Sequence, residues 1–132
     1  MPKKIVIVED ESSLSLMYKF KLEADGYNVR VASDSWEGVD IVESFRPDLL
    51  LLDIMMPYET GDVTLAKIRQ TKFGKNLKVL FMTNTDMQEA PKAIRSMNFK
   101  RYIIKANMTP KQVSTMVGEE LNDKSRVLPK VS

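Results

Sequence analysis

Four consecutive leucines, Leu49 to Leu52, run directly into a carboxylate, Asp53, and the turn residues Pro57 and Gly61 come soon after it. An apolar run of that length, bounded by turn residues, reads as a strand buried on both faces. Such strands belong to parallel sheets covered by helices on either side, and those sheets bind ligands at the C-terminal ends of their strands. A second run, Ile5-Val6-Ile7-Val8, ends the same way, in Glu9-Asp10-Glu11. Several carboxylates are thereby brought to one rim. Because like charges repel, they gather there only around something positive.

The rest of the chain alternates strand-like and helix-like patterns. Ser12 or Ser13 is placed to cap a first helix bearing Leu14, Met17, Tyr18 and Leu22, which Gly26 ends. Asn28 to Ala32 reads as the second strand. Ser35 is placed to cap a second helix with Val39, Val42 and Phe45, which stops before Pro47. Leu49 to Asp53 is the third and most apolar strand. Gly61 and Asp62 read as the turn and N-cap of a third helix bearing Val63, Leu65, Ala66 and Ile68, and Leu77 to Met82 as the fourth strand. Asp86 and Glu89 have capping-box spacing. Pro91 fits only near a first helical turn, so a regular fourth helix starts no earlier than about Gln88. It continues through Ala93, Ile94 and Met97 to a left-handed Asn98. Arg101 to Ile104 is the fifth strand. Thr109-Pro110-Lys111-Gln112 combines an N-cap, a first-turn proline and a capping-box glutamine, and opens a fifth helix with Val113, Met116, Val117 and Leu121.

Strict alternation with short connections predicts an α/β fold, a doubly wound (βα)5 parallel sheet. The chain of 132 residues suggests one domain, placed at 1–121, with 122–132 as a mobile polar tail.

Composition narrows the chemistry. The net charge of +2 points neither to nucleic acid nor to a membrane surface. There is no cysteine and no histidine, which excludes thiolate chemistry, serine–histidine triads and most zinc sites. Carboxylates, lysines, hydroxyls and a bound hard cation are what remain. Lys3 and Lys4 precede an apolar run too short for a signal peptide or a membrane span, so a cytoplasmic protein is expected.

Four features fall at the ends of predicted strands: Glu9-Asp10-Glu11, Asp53, Thr83 and Lys105. Their order and spacing resemble the receiver domain of two-component response regulators over roughly residues 3–121. Asp53-Ile54-Met55-Met56-Pro57 with Gly61 beyond it looks like that family's phosphoacceptor segment. Glu9-Asp10 looks like its acidic pair, Thr83 its hydroxyl, Tyr102 its switch aromatic and Lys105 its lysine. The resemblance implies a flavodoxin-like sheet in strand order 2-1-3-4-5, with the site at the switch point.

It also implies roles. Asp53 would be the nucleophile that forms an aspartyl-phosphate. Asp10 and Asp53 would hold Mg²⁺ (or Mn²⁺) directly, Glu9 through water, and the backbone carbonyl of Met55 would complete the set. Lys105 would pair with one phosphate oxygen and the Thr83 hydroxyl would hydrogen-bond another. Phosphorylation would draw Thr83 toward the phosphate, and the space it leaves would let Tyr102 rotate inward, reshaping the surface of the fourth helix, fifth strand and fifth helix. The chain would be no conventional enzyme but a signalling protein. A histidine kinase or histidine phosphotransfer protein would phosphorylate it, and it would act on a downstream protein target. It would bind no nucleic acid by itself and no membrane, and would be a monomer or weak dimer.

Taken singly, each of these residues has a plainer reading: a turn aspartate, a solvated acidic loop, a half-buried tyrosine, a surface lysine. Their joint placement reverses that reading. Leu16 and Phe20 lie one turn apart, off the main stripe of the first helix. A broad buried face is the plain reading. The sharper one is an exposed pair that docks the kinase or phosphotransfer domain.

Two positions depart from the family pattern. Ala106 stands where proline after a cis bond is usual, and a cis bond to alanine costs ~2.5–4 kcal/mol. Either the site tolerates that strain or the bond is trans, and the cost favours trans. Asn84 stands beside Thr83 where a small residue is usual, and its amide could limit access to the phosphate. Met55 and Thr85 are the side chains placed to tune phosphoryl lifetime, and neither can orient an attacking water, so a moderate to long lifetime is expected. Three alternatives are weaker. A haloacid-dehalogenase-type phosphatase needs a second Asp at position 55, which is Met. A flavodoxin needs a hydroxyl-rich loop where Glu9-Asp10-Glu11 stands. A scaffold-only receiver would not need the full residue set.

Overall fold

A computed structural model describes residues 1–121; the stretch 122–132, expected from the sequence to be a mobile tail, lies outside the described residues. In chain order the elements are β1 (Lys4–Val8), α1 (Ser12–Ala24), β2 (Asn28–Ala32), α2 (Ser35–Phe45), β3 (Leu49–Asp53), β4 (Met55–Met56), β5 (Glu59–Thr60), α3 (Gly61–Arg69), β6 (Lys78–Thr83), β7 (Arg101–Ile104) and α4 (Pro110–Leu121). Two 3₁₀ turns, Lys92–Ser96 and Lys105–Asn107, flank β7.

The main sheet is parallel throughout, in the order β2-β1-β3-β6-β7. This is the expected 2-1-3-4-5 order of five strands; the numbers shift because β4 and β5 form a separate antiparallel ribbon. Nothing in the sequence pattern announces that ribbon, since two-residue strands carry no period. Register aligns Val8 with Leu52 and Asp53 with Met82, so the strand ends share one rim.

Side chains of a strand alternate between faces, and the core divides accordingly. Val6, Val8, Leu50, Leu52, Val79 and Phe81 pack on one side with Val42 and Phe45 of α2, Leu65 and Ile68 of α3, and Ile94. Ile5, Ile7, Leu49, Leu51, Leu80 and Met82 pack on the other with Tyr18 and Leu22 of α1 and Val113 and Val117 of α4. The leucine run is therefore central and buried on both faces, as its composition predicts.

Several local expectations need correction. The regular fourth helix does not form. Pro91 is extended (φ −52°, ψ 135°), with no N–H to continue a helix, and it splits the segment. A turn held by Asp86 precedes it and only the 3₁₀ turn Lys92–Ser96 comes after it. That turn ends on extended Met97, and Asn98 is not left-handed. Glu11, not Ser12 or Ser13, is the N-cap residue of α1. Asp34, not Ser35, caps α2, its carboxylate accepting the Glu37 N–H at 2.8 Å. Thr60 precedes α3, with Gly61 and Asp62 already helical. Met17, Val63 and Ala66 face outward, because Ser15 and Thr64 take the buried positions instead. The Thr109 capping box forms as expected: Thr109 N–H donates to Gln112 Oε1 (2.8 Å) and Gln112 N–H to Thr109 Oγ1 (3.2 Å).

Candidate functional site

The rim at the C-terminal ends of β1, β3, β6 and β7 carries the predicted residues together. A cavity of about 210 Å³ is lined by Glu9, Asp10, Asp53, Thr83, Asn84 and Lys105, with Met55 and Thr85 also on its wall. Glu9, Asp10 and Asp53 each place a carboxylate oxygen within 4.8 Å of the others. Glu9 and Asp53 are buried and Asp10 is exposed, so one carboxylate of the three faces solvent. A cavity of this size suits a small, hydrated, strongly polar group better than a drug-sized ligand.

Lys105 is the positive charge within this cluster. Its Nζ donates a hydrogen bond to Glu9 Oε1 and lies 3.4 Å from Asp53 Oδ2. All three groups are at least nine-tenths buried. Burial alone would lower the lysine pKa, but Glu9 and Asp53 outweigh it and raise it, so the ammonium stays charged. Asp53 is the opposite case. Burial and then the Glu9 charge push its carboxyl up to about 7, against the opposing pull of Lys105 and the Met55 N–H. That N–H donates to Asp53 Oδ1 at 3.2 Å, and the Glu11 N–H donates to Glu9 Oε2 at 3.2 Å.

Thr83 ends β6 and is fully buried, its Oγ1 accepting from the Thr85 N–H at 3.3 Å. The Tyr102 hydroxyl donates to the Thr85 carbonyl. Thr85 thus links the two expected switch residues through its own main chain. Tyr102 is half-buried, its hydroxyl tied to that carbonyl. The Lys105–Ala106 bond is trans. The Ala106 N–H donates to Asn84 Oδ1 at 3.1 Å, so the two departures from the family pattern touch each other.

The segment after Asp53 is held by groups that sequence spacing does not reveal. The Gly61 N–H donates to the Ile54 carbonyl at 2.7 Å. A Cβ on Gly61 would lie 2.8 Å from Ile54 Cα and 2.9 Å from the Asp53 carbonyl oxygen, so only glycine lets α3 start this close to the end of β3. Glu59 accepts from Ser35 Oγ, from Thr64 Oγ1 (3.0 Å) and from Lys67 Nζ (2.5 Å). Burial alone would raise the Glu59 pKa, but those three bonds outweigh it and hold the carboxyl below its usual range. The cluster fixes the β4–β5 ribbon to α2 and α3.

Other placements differ from the plain reading of the sequence. Leu16 (61% exposed) and Phe20 (79%) stand in solvent, so the broad buried face on α1 is wrong. Tyr18, which sequence pattern places in the core, is buried and also feels charge at the site. Burial raises its pKa first, with Lys105 lowering and Glu9 raising it further. Trp36 is exposed with Lys67 Nζ 4.3 Å from its ring centre, and it lines a larger cavity of about 570 Å³ on the other side of Asp10. That cavity contains neither Asp53 nor Lys105.

Comparison with known proteins agrees with this geometry. A family model described as the response regulator receiver domain matches residues 5–117. The Bacillus subtilis (strain 168) alkaline phosphatase synthesis transcriptional regulatory protein PhoP is 37% identical over 86 residues, 65% of this chain and 35% of that protein. The match thus spans about a third of that relative's length. A CheY-like response regulator receiver domain protein from Methanospirillum hungatei JF-1 superposes with a TM-score of 0.83 at 26% identity, covering 93% of this chain and 96% of that one. The receiver domain of the Pseudomonas aeruginosa PAO1 sensor histidine kinase PA1611, whose structure has a magnesium ion coordinated in the active-site cleft, superposes with a TM-score of 0.82 at 20% identity, covering 93% and 100%. At that identity the likeness is one of fold.

Proposed function

The chain belongs to the response regulator receiver domain family, and on that premise we propose that Asp53 is its phosphoacceptor. A receiver of two-component signalling is a phosphoacceptor rather than a conventional enzyme. The observation that carries the assignment is Lys105 reaching both Glu9 and Asp53 from the opposite side of β3.

One Asp53 carboxylate oxygen attacks the phosphorus of a phosphohistidine. The O–P bond forms as the N–P bond breaks, and the electron pair returns to the donor's imidazole nitrogen. Lys105 then exchanges a carboxylate partner for a phosphoryl oxygen, and the Thr83 hydroxyl donates to another. Asn84 also faces the phosphoryl group, while Met55 and Thr85 on the cavity wall set its lifetime. When Thr83 turns, it releases the Thr85 N–H, and Thr85 in turn carries the Tyr102 hydroxyl. The two-state surface is the 3₁₀ turn Lys92–Ser96, β7 and α4, with the turn replacing the expected fourth helix.

The donor set fits a hard divalent cation. Three carboxylates converge and no softer ligand lies among them; burial first and then the Glu9 charge raise the Asp53 pKa, with Lys105 offsetting only part. Asp10 and Asp53, the Met55 carbonyl and Glu9 through water would hold Mg²⁺ or Mn²⁺. The bound cation would neutralise charge building on the transferring phosphoryl group.

The implied partners are a histidine kinase or histidine phosphotransfer protein as donor, docked on Leu16 and Phe20, and a downstream protein as target. No helix among the described residues is long and apolar enough to cross a membrane. A cytoplasmic monomer or weak dimer that binds no nucleic acid by itself completes the reading. Incubation with acetyl phosphate or beryllofluoride, with and without Mg²⁺, tests it. Wild type should form a Mg²⁺-dependent adduct by intact mass and Asp53→Asn should not. No adduct in wild type overturns the assignment.

A further inference from the structure

The Lys105–Asn107 turn opens with an orphan. Like the first N–H groups of any helix, that of Ala106 has no partner inside its own turn. Asn84 supplies one, from the loop after β6, at 3.1 Å. A backbone N–H can only donate, so the contacting amide atom is the oxygen, and the orientation of the carboxamide is chemically fixed. The Nδ2 amino group, a pure donor, is left over. Asn84 lines the cavity that contains Asp53, Thr83 and Lys105, so this amino group is the polar atom it can offer an anion bound there.

We propose that Asn84 and Ala106 act as a matched pair: the Ala106 N–H holds the Asn84 oxygen, which commits the Asn84 amino group to donate a hydrogen bond to the phosphoryl group on Asp53. Asn84 is the binding residue and Ala106 its positioning residue. Proline at 106 would remove the N–H and leave the amide free to rotate. Alanine at 84 would leave the N–H without its partner and the anion without its donor. The bond also staples the loop after Thr83 to the turn that begins at Lys105, whose strands pair through Thr83 and Ile104.

The proposal rests on Asp53 being the phosphoacceptor, and the test separates the two. The probe is beryllofluoride with Mg²⁺, titrated by ¹⁹F NMR, on wild type, Asn84→Ala, Ala106→Pro, the double variant and Ala106→Gly. Asn84→Ala and Ala106→Pro should each weaken binding about tenfold, the loss of one hydrogen bond to a charged group. The double variant should be no weaker than the worse single one, and Ala106→Gly, which keeps the N–H, should stay within about twofold of wild type. In ¹⁵N spectra the Asn84 side-chain amino protons should move downfield on binding in wild type and not in Ala106→Pro. No adduct in wild type overturns the phosphoacceptor assignment and this pair with it. An adduct indifferent to Asn84→Ala, or single-variant losses that multiply in the double variant, overturns the pair alone.

Discussion

Lys105 Nζ hydrogen-bonds Glu9 but stops 3.4 Å from Asp53 Oδ2, so a single lysine is shared between two buried carboxylates. The cluster is one negative charge in excess even before exposed Asp10 is counted. On Asp53 that excess adds to burial, the larger cause, and together they raise its pKa to about 7. The same imbalance that invites a cation makes the metal-free protein pH-sensitive.

The folded state holds the Asp53 proton more tightly than the unfolded chain, whose aspartate titrates near 3.8. The resulting stabilisation is complete below that value and is lost as pH rises from about 4 through about 7. Asp53→Asn mimics the protonated form. Without divalent cations it should match wild type near pH 4 and exceed it at pH 8, by on the order of 1–3 kcal/mol. Urea unfolding at the two pH values measures this; an equal difference at both would contradict it.

A cation at the carboxylates competes with that proton. Mg²⁺ affinity should therefore rise as pH climbs toward 7 and level off above it. Glu9→Gln should shift the inflection to lower pH, because it removes a charge that raises the Asp53 pKa and frees Lys105. Asp10→Asn should weaken binding at every pH without moving the inflection far. Calorimetric titration at fixed ionic strength separates the three curves.

Gly61→Ala should disturb Asp53 through the main chain. The new methyl would press on two backbone atoms, Ile54 Cα at 2.8 Å and the Asp53 carbonyl oxygen at 2.9 Å, which cannot swing aside. A stability loss of roughly 1–3 kcal/mol and weaker beryllofluoride binding are expected together. Gly38→Ala is the contrast: its methyl would meet Val8 Cγ2 at 2.9 Å, the end of a side chain rather than backbone. Its adduct should form normally. Equal loss of adduct in both variants would remove the special role of Gly61.

How much of the molecule was legible in the sequence depends on the range of each interaction. β2, β3 and β7 lie at the predicted residues because apolar runs and turn residues are local signals. The Thr109 capping box was legible for the same reason, its partners being three residues apart. The rim residues were readable through their shared position at strand ends, which the topology then brought together. The fourth helix failed because periodicity from Gln88 to Met97 looks helical whether or not Pro91 permits it. The Asn84–Ala106 bond and the Glu59 cluster were hidden because their partners are set by tertiary packing, across 22 residues for the first and up to 24 for the second. The exposure of Leu16 and Phe20 was also undecidable from spacing, since Ser15 took a buried place that hydropathy would not assign it.

Arg69 illustrates a purely structural tie at the opposite end of the sheet. Its guanidinium donates to the carbonyls of Gly74 (3.0 Å), Leu77 (2.6 Å) and Asn98 (2.6 Å), joining the chain after α3 to the segment that precedes β7. Burial lowers its pKa only from a very high ordinary value, so the charge persists. Arg69→Ala should cost about 1–3 kcal/mol in unfolding free energy, and Arg69→Lys should recover only part, because an ammonium cannot reproduce the planar fork. Adduct formation at Asp53 should survive in both; its loss in a still-folded variant would show that the tie reaches the site.

The exposed pair on α1 separates two kinds of phosphodonor. Acetyl phosphate needs only the rim cavity, whereas a phosphohistidine arrives on a protein that must also find a surface. Leu16 and Phe20, at 61% and 79% exposure, offer apolar area that the fold itself does not use. Leu16→Ala with Phe20→Ala should therefore leave stability within about 0.5 kcal/mol of wild type. It should leave labelling by acetyl phosphate unchanged and lower the kcat/KM of transfer from the cognate kinase or phosphotransfer protein by tenfold or more, as loss of an apolar anchor does. Equal rates from the protein donor would place docking elsewhere. A matching fall with acetyl phosphate would mean that the substitutions act on the cavity rather than on recognition.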